Sequence, residues 1–376
     1  MSDSQKARDY ADQKQLTADT INYSEHKHYN IDGKEADEYV LKLFENNFPK
    51  LHSEAMEVAS TCAKEMAMAI IVNVCEEDPD LLLNLRRPNV QAALLSAQQS
   101  YAETGDPDSG TGDASLGLLL SRLVAKLITN PNRGLTEIVT RRAIALAPHL
   151  TRQQINSLTA AAIFRSCIFR CSDASELLDV MDDFYKHYYG DLAVGYNEYS
   201  YMESVGVGSV SLMTGWGDDP FETLCKKYRQ QLRKSFREDE LPAAIEAHER
   251  GEYLELAPTN DGFLWLRSDR INDLLGDGGM EDIKLSFAGS KSTRALRSFV
   301  SKQFISPDEL KLQAETEKPE LLSNLTALHK AGGFGFQLNT IGYVLAKQEL
   351  DIRFPGNELL VNLVSTEPAE AEVTEN

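Results

Sequence analysis

The chain has few cysteines: Cys62, Cys75, Cys167, Cys171 and Cys225 in 376 residues. An odd, scattered set does not form a disulfide framework, and a chain this long needs no covalent staples to hold a core. Reduced thiols in a cytoplasmic protein are expected. Basic charge is also short, with 38 lysines and arginines against 58 aspartates and glutamates, a formal charge of −20. A field of that sign repels polyanions, so nucleic acid is a poor general partner, although a local basic face would still hold an anion. Uninterrupted apolar runs are short as well. Residues 66–72 and 205–213 fall far below the roughly 20 residues of a membrane span. Residues 1–30 lack the apolar segment of a signal peptide. No membrane span is expected.

Catalytic spacings are missing too. Gly289-Ser290-Lys291-Ser292-Thr293 is similar to the end of a phosphate loop, but Ser290 stands where glycine must precede the lysine. Leu285 takes the place of the earlier glycine, so the backbone could not cradle a triphosphate. Gly206-Val207-Gly208-Ser209 lacks the third glycine of a dinucleotide site, and tight packing explains it better. Cys167 and Cys171 stand one helical turn apart, yet no second ligand pair completes a zinc set. His26 and His28 lie in a polar tail without carboxylates at fixed spacing. Asp218 and Asp219 flank Trp216 on one side, but Asp219 already serves as an N-cap. No Ser or Cys sits in a strand-to-helix elbow, and none of the seven histidines is marked as a base. The expectation is a protein with no catalytic residue, no cofactor and no metal.

Amphipathic helix is what the chain does have. Val40, Leu43, Phe44, Phe48, Leu51, Ala55, Val58, Cys62, Met66, Ala69 and Ile70 recur at steps of three and four, the stripe of one long helix. Pro49 interrupts it, and the continued phase predicts a kink there. Further helices are predicted over 88–103, 114–129, 134–148, 151–170 and 173–188. Residues 105–113, rich in Gly, Asp and Pro, predict a mobile loop. Thr151 with Gln154, and Asp173 with Glu176, spell capping boxes. Asp219-Pro220-Phe221-Glu222 and Ser306-Pro307-Asp308-Glu309 open helices with an N-cap and a proline in the first turn. A strand is predicted over 263–266 and another near Phe334, Phe336 and Leu338.

The predicted fold is therefore mainly α: a helical bundle over 34–190, a mixed α/β middle unit over 191–305 and a small winged-helix-like unit over 306–354. A flexible tail, 1–33, and an acidic tail, 355–376, flank them. The middle unit carries the candidate docking residues. On a helix predicted over 219–237, Lys226, Arg229, Arg233 and Arg237 line one flank, a stripe able to grip phosphate or an acidic partner. A solvated face is the bland alternative. Lys291 and Arg294 stand at a helix start where Ser292 or Thr293 caps and free N–H groups could hold one anion.

Leu338-Asn339-Thr340-Ile341-Gly342 resembles the Leu-Thr-x-x-Gly element after a short strand in winged-helix-like units, with Asn339 in place of threonine. More of the chain, about 35–350, resembles a family of uncharacterised bacterial proteins known by locus-tag names. Residues 43–51 (Leu-Phe-Glu-Asn-Asn-Phe-Pro-Lys-Leu), 88–101 and 338–346 carry that likeness. The last segment is also similar to the abortive-infection alpha family of phage-resistance proteins. These resemblances imply a helical bacterial protein, with a link to phage defence by association and no activity or site residue to transfer. The function expected is a non-enzymatic interaction or accessory protein with a protein partner or as a homo-oligomer. The alternatives are a nucleic-acid-binding regulator and an enzyme with a site in the middle unit.

Overall fold

The computed structural model describes residues 33–106, 108–132, 134–210, 219–257, 262–276 and 290–356, with side chains from residue 52 onward. It is mainly helical, with two small antiparallel sheets. The helices of the first half are α1 (Gly33–Glu77), α2 (Pro88–Glu103), α3 (Ala114–Thr129), α4 (Leu135–Leu146), α5 (Arg152–Ser166), α6 (Ala174–Tyr185) and α7 (Tyr196–Val205). The predicted starts hold, while the ends come earlier: the runs expected to reach 148, 170 and 188 stop at 146, 166 and 185. Short 3₁₀ turns follow α4 and α6. Helix α1 continues through Pro49 as one element. Thr151 and Gln154 form the predicted capping box. At α6 only half the box forms: Asp173 accepts the Glu176 N–H at 2.9 Å, and Glu176 turns to the Ser172 N–H instead.

The described chain falls into two compact units. The smaller holds α1 up to Glu65 and residues 101–113. Its loop is tied rather than loose. Asp106 accepts the N–H groups of Asp108 and Ser109, its own N–H donates to the Thr111 carbonyl, and Gly110 supplies the left-handed residue (φ 72°). Gly105 lies so near Val58 that a Cβ would stand 2.7 Å from its methyl. The Tyr101 hydroxyl donates to Glu65 at 3.3 Å.

The larger unit is built on α5, which is buried from Gln154 to Phe164. Two of its polar residues are tied to the segment after α6: Ser157 Oγ accepts the Ala193 N–H at 2.8 Å, and Asn156 Nδ2 donates to Asp191 at 2.8 Å. After α7, Gly206 (φ 91°) ends the helix and releases β1 (Gly208–Val210). The middle of the chain gives α8 (Pro220–Lys227), β2 (Phe236–Arg237), α9 (Ala247–Tyr253), β3 (Leu254–Leu256), β4 (Phe263–Leu266), α10 (Ile271–Leu275) and α11 (Lys291–Val300). Strands β2, β4 and β3 form one antiparallel sheet in that order, with Phe236 opposite Leu264 and Leu254 opposite Leu266. Phe236, Ile245, Leu266, Leu274, Leu296 and Val300 fill the core beneath it.

Helices α12 (Pro307–Glu317) and α13 (Pro319–Lys330), strand β5 (Phe336–Leu338) and helix α14 (Thr340–Arg353) complete the chain. Strand β5 pairs antiparallel with β1, Gly208 opposite Leu338. Helix α14 lies against α5, α4 and α3 through Val344, Leu345, Ala346 and Leu350. The segment predicted to stand as a small unit of its own thus gives its strand to β1 and its last helix to the bundle.

Candidate functional site

Helix α8 begins as its sequence prescribes. Asp219 accepts the N–H groups of Phe221 and Glu222 at 2.9 and 3.3 Å, with Pro220 in the first turn. It does not run on to residue 237. Tyr228 is drawn into the core, where its hydroxyl accepts the Phe169 N–H at 3.0 Å, and the backbone leaves helical geometry at that residue. The chain then pairs with residues 303–305: Lys234 N–H donates to the Gln303 carbonyl at 2.7 Å and Ile305 N–H to that of Leu232 at 2.9 Å. Periodicity pointed to helix across this break because the apolar residues keep their phase, and a tertiary hydrogen bond and strand-like pairing override it.

The expected basic stripe is dispersed as a result. Lys226 stays on α8 and is exposed. Arg229 donates to the Gly276 carbonyl at 2.7 Å and lies over the Phe304 ring. Arg233 stacks 3.9 Å from the Trp265 ring centre, donates to the Leu266 carbonyl and faces Glu255 at 3.9 Å, with its side chain almost wholly covered. Arg237 covers Phe263 at 5.2 Å. Lys227 donates to the Phe164 carbonyl at 2.8 Å, and burial holds its pKa below the usual lysine value. Arg233 and Arg237 thus lie over rings of the middle sheet, and Arg229 over Phe304 outside it, a role suited to a flat guanidinium.

At α11 the cap is Ser290 rather than Ser292 or Thr293, with its Oγ accepting the Thr293 N–H at 2.9 Å. Beside it lies the buried Glu249. Its carboxylate accepts the hydroxyls of Ser290 at 3.1 Å, Thr293 at 2.6 Å and Ser292. Burial raises the Glu249 pKa, and the three hydroxyl bonds outweigh it, leaving the group below its ordinary value. The first turn next to the exposed Lys291 and Arg294 therefore already carries an anion. Part of the loop before it, 277–289, and the Trp216–Asp218 group lie outside the described residues, as do His26 and His28.

Neither Cys167 nor Cys171 is activated. Cys167 follows the end of α5, so it and Cys171 do not share a helix face. Burial pushes each up to about 11. Among the described residues, no three His, Cys, Asp or Glu side chains gather to hold a metal ion.

A surface that the sequence reading missed lies on α1. Cys62, Met66, Ile70 and Val74 face inward, and Asn73 donates to Ser121 Oγ at 3.1 Å. On the opposite side Met68 is 62% exposed, Ile71 39% and Val72 50%, with the exposed Cys75 one turn on. The stretch His52–Glu77 is long and apolar enough to cross a membrane, and only 28% of its most apolar part is buried. A search for uninterrupted apolar runs passes over this stretch, because Lys64 and Glu65 break the run without ending the helix. The signal was present in residues 66–75, Met-Ala-Met-Ala-Ile-Ile-Val-Asn-Val-Cys: a stripe of period 3.6 explains half of these apolar residues and leaves the other half facing out.

A family model described by a locus-tag name matches residues 31–360. No curated protein and no solved structure matches the chain.

Proposed function

The chain belongs to that locus-tag family, and we propose that it is a non-enzymatic interaction protein whose docking face is the outward apolar side of α1. One observation carries this: Met68, Ile71 and Val72 are exposed together on a helix whose other side is already packed. Contiguous exposed apolar side chains mark interaction surfaces more often than isolated ones do. Two of the candidate basic residues, Arg229 and Arg233, are by contrast engaged with backbone carbonyls and aromatic rings of the chain itself. The proposed setting is bacterial and cytoplasmic, in an accessory role in phage defence. The likeness of residues 338–346 to the abortive-infection alpha family supports that setting.

The test is size exclusion with light scattering and pull-down from the native host, wild type beside Met68→Glu/Val72→Glu. Wild type is expected to associate with a protein partner or with itself. The variant is expected to run as a lone monomer with its melting temperature unchanged. A wild type that is already a lone monomer, or that turns over a screened substrate, overturns the proposal.

A second reading follows from the composition of the same helix. A lipid surface would also cover that face, and flotation with anionic and neutral vesicles separates it from a protein partner. The nucleic-acid alternative keeps the winged-helix-like reading of 306–354. It is the weaker one, because β5 pairs with β1 and few cations lie near it.

A further inference from the structure

We draw no further inference here: the strongest candidate, the outward apolar face of α1 around Met68, Ile71 and Val72, belongs to the surface already described, and nothing in the structure shows what covers it.

Discussion

Asn339 does two jobs that a threonine in its place could not both do. Its Oδ1 accepts the N–H groups of Ile341 and Gly342, each at 3.0 Å, and its Nδ2 donates to the Gly206 carbonyl at 2.8 Å. The first job caps α14; the second ties that cap to the turn before β1. Asn339→Thr should keep the cap and lose the tie, whereas Asn339→Ala should lose both and cost about 1–2 kcal/mol. Thermal unfolding followed by circular dichroism should rank wild type above Thr above Ala. Equal melting temperatures for Thr and Ala would show that the cap contributes nothing. Gly342 is fixed by the same junction, since a Cβ there would run into the Val207 carbonyl oxygen. Gly342→Ala should destabilise by about 1–3 kcal/mol, the usual cost of overpacking, although alanine is the better helix former. Glu309 offers a pH test. Lys234 at 2.7 Å, helped by the Ser306 N–H and hydroxyl, holds its pKa at about 2 against an ordinary 4.5. A depressed carboxylate stabilises fully above its unfolded pKa and loses that stability as pH falls through the folded one. The contribution should therefore fade between 4.5 and about 2. Both partners are partly exposed, so the effect is small and screened. Urea midpoints taken through that window should flatten in Glu309→Gln; an unchanged slope would remove the pair from the account.

Among the elements, those that announce themselves locally were legible in the sequence. Thr151 with Gln154, Asp219-Pro220 and Ser306-Pro307 each satisfy free N–H groups within four residues, so no distant partner is needed to read them. Helix ends are different. Helix α8 stops because Tyr228 finds Phe169 and because residues 232–234 find 303–305, contacts far away in sequence. The fate of the basic stripe was illegible for the same reason, whereas the apolar face of α1 could have been read from residues 66–75. A stripe of arginines looks alike whether it faces solvent or rings, and only the fold brings Trp265 under Arg233. This pairing gives an element-scale prediction. Lysine lacks the flat, forked donor that stacks on indole and reaches the Leu266 carbonyl together. In a Trp216→Phe background, which leaves Trp265 as the one indole, Arg233→Lys should shift the emission of Trp265 to the red. It should also lower the melting temperature. An emission spectrum identical to the parent would mean that the stack does not persist in solution.

At the scale of the whole molecule, β1 and β5 are antiparallel neighbours, yet the chain leaves at Val210 and returns at Phe336. Closing so long a loop costs little more than closing a moderate one, because the entropy grows only with the logarithm of length. The intervening residues in part offset this by filling a core of their own beneath the middle sheet. Phe336 welds the junction: fully buried, it packs on Gly208 and Tyr199, and its carbonyl accepts Arg165 at 2.9 Å. The same scale sets how the proposed docking face should respond to salt. With a formal charge of −20, two copies, or this chain and another acidic protein, repel at long range, and about 0.1 M salt shortens that repulsion to about 10 Å. Apolar contact through Met68, Ile71 and Val72 loses nothing to salt. Capture of such a partner should hold or strengthen between about 0.05 M and about 0.5 M sodium chloride, and Met68→Glu should abolish it at both. Binding through lysines and arginines to phosphate has the opposite sign and falls steeply over the same range. A complex that dissolves as salt rises and ignores Met68→Glu would move the docking face away from α1 and onto the exposed cations at Lys226, Lys291 and Arg294.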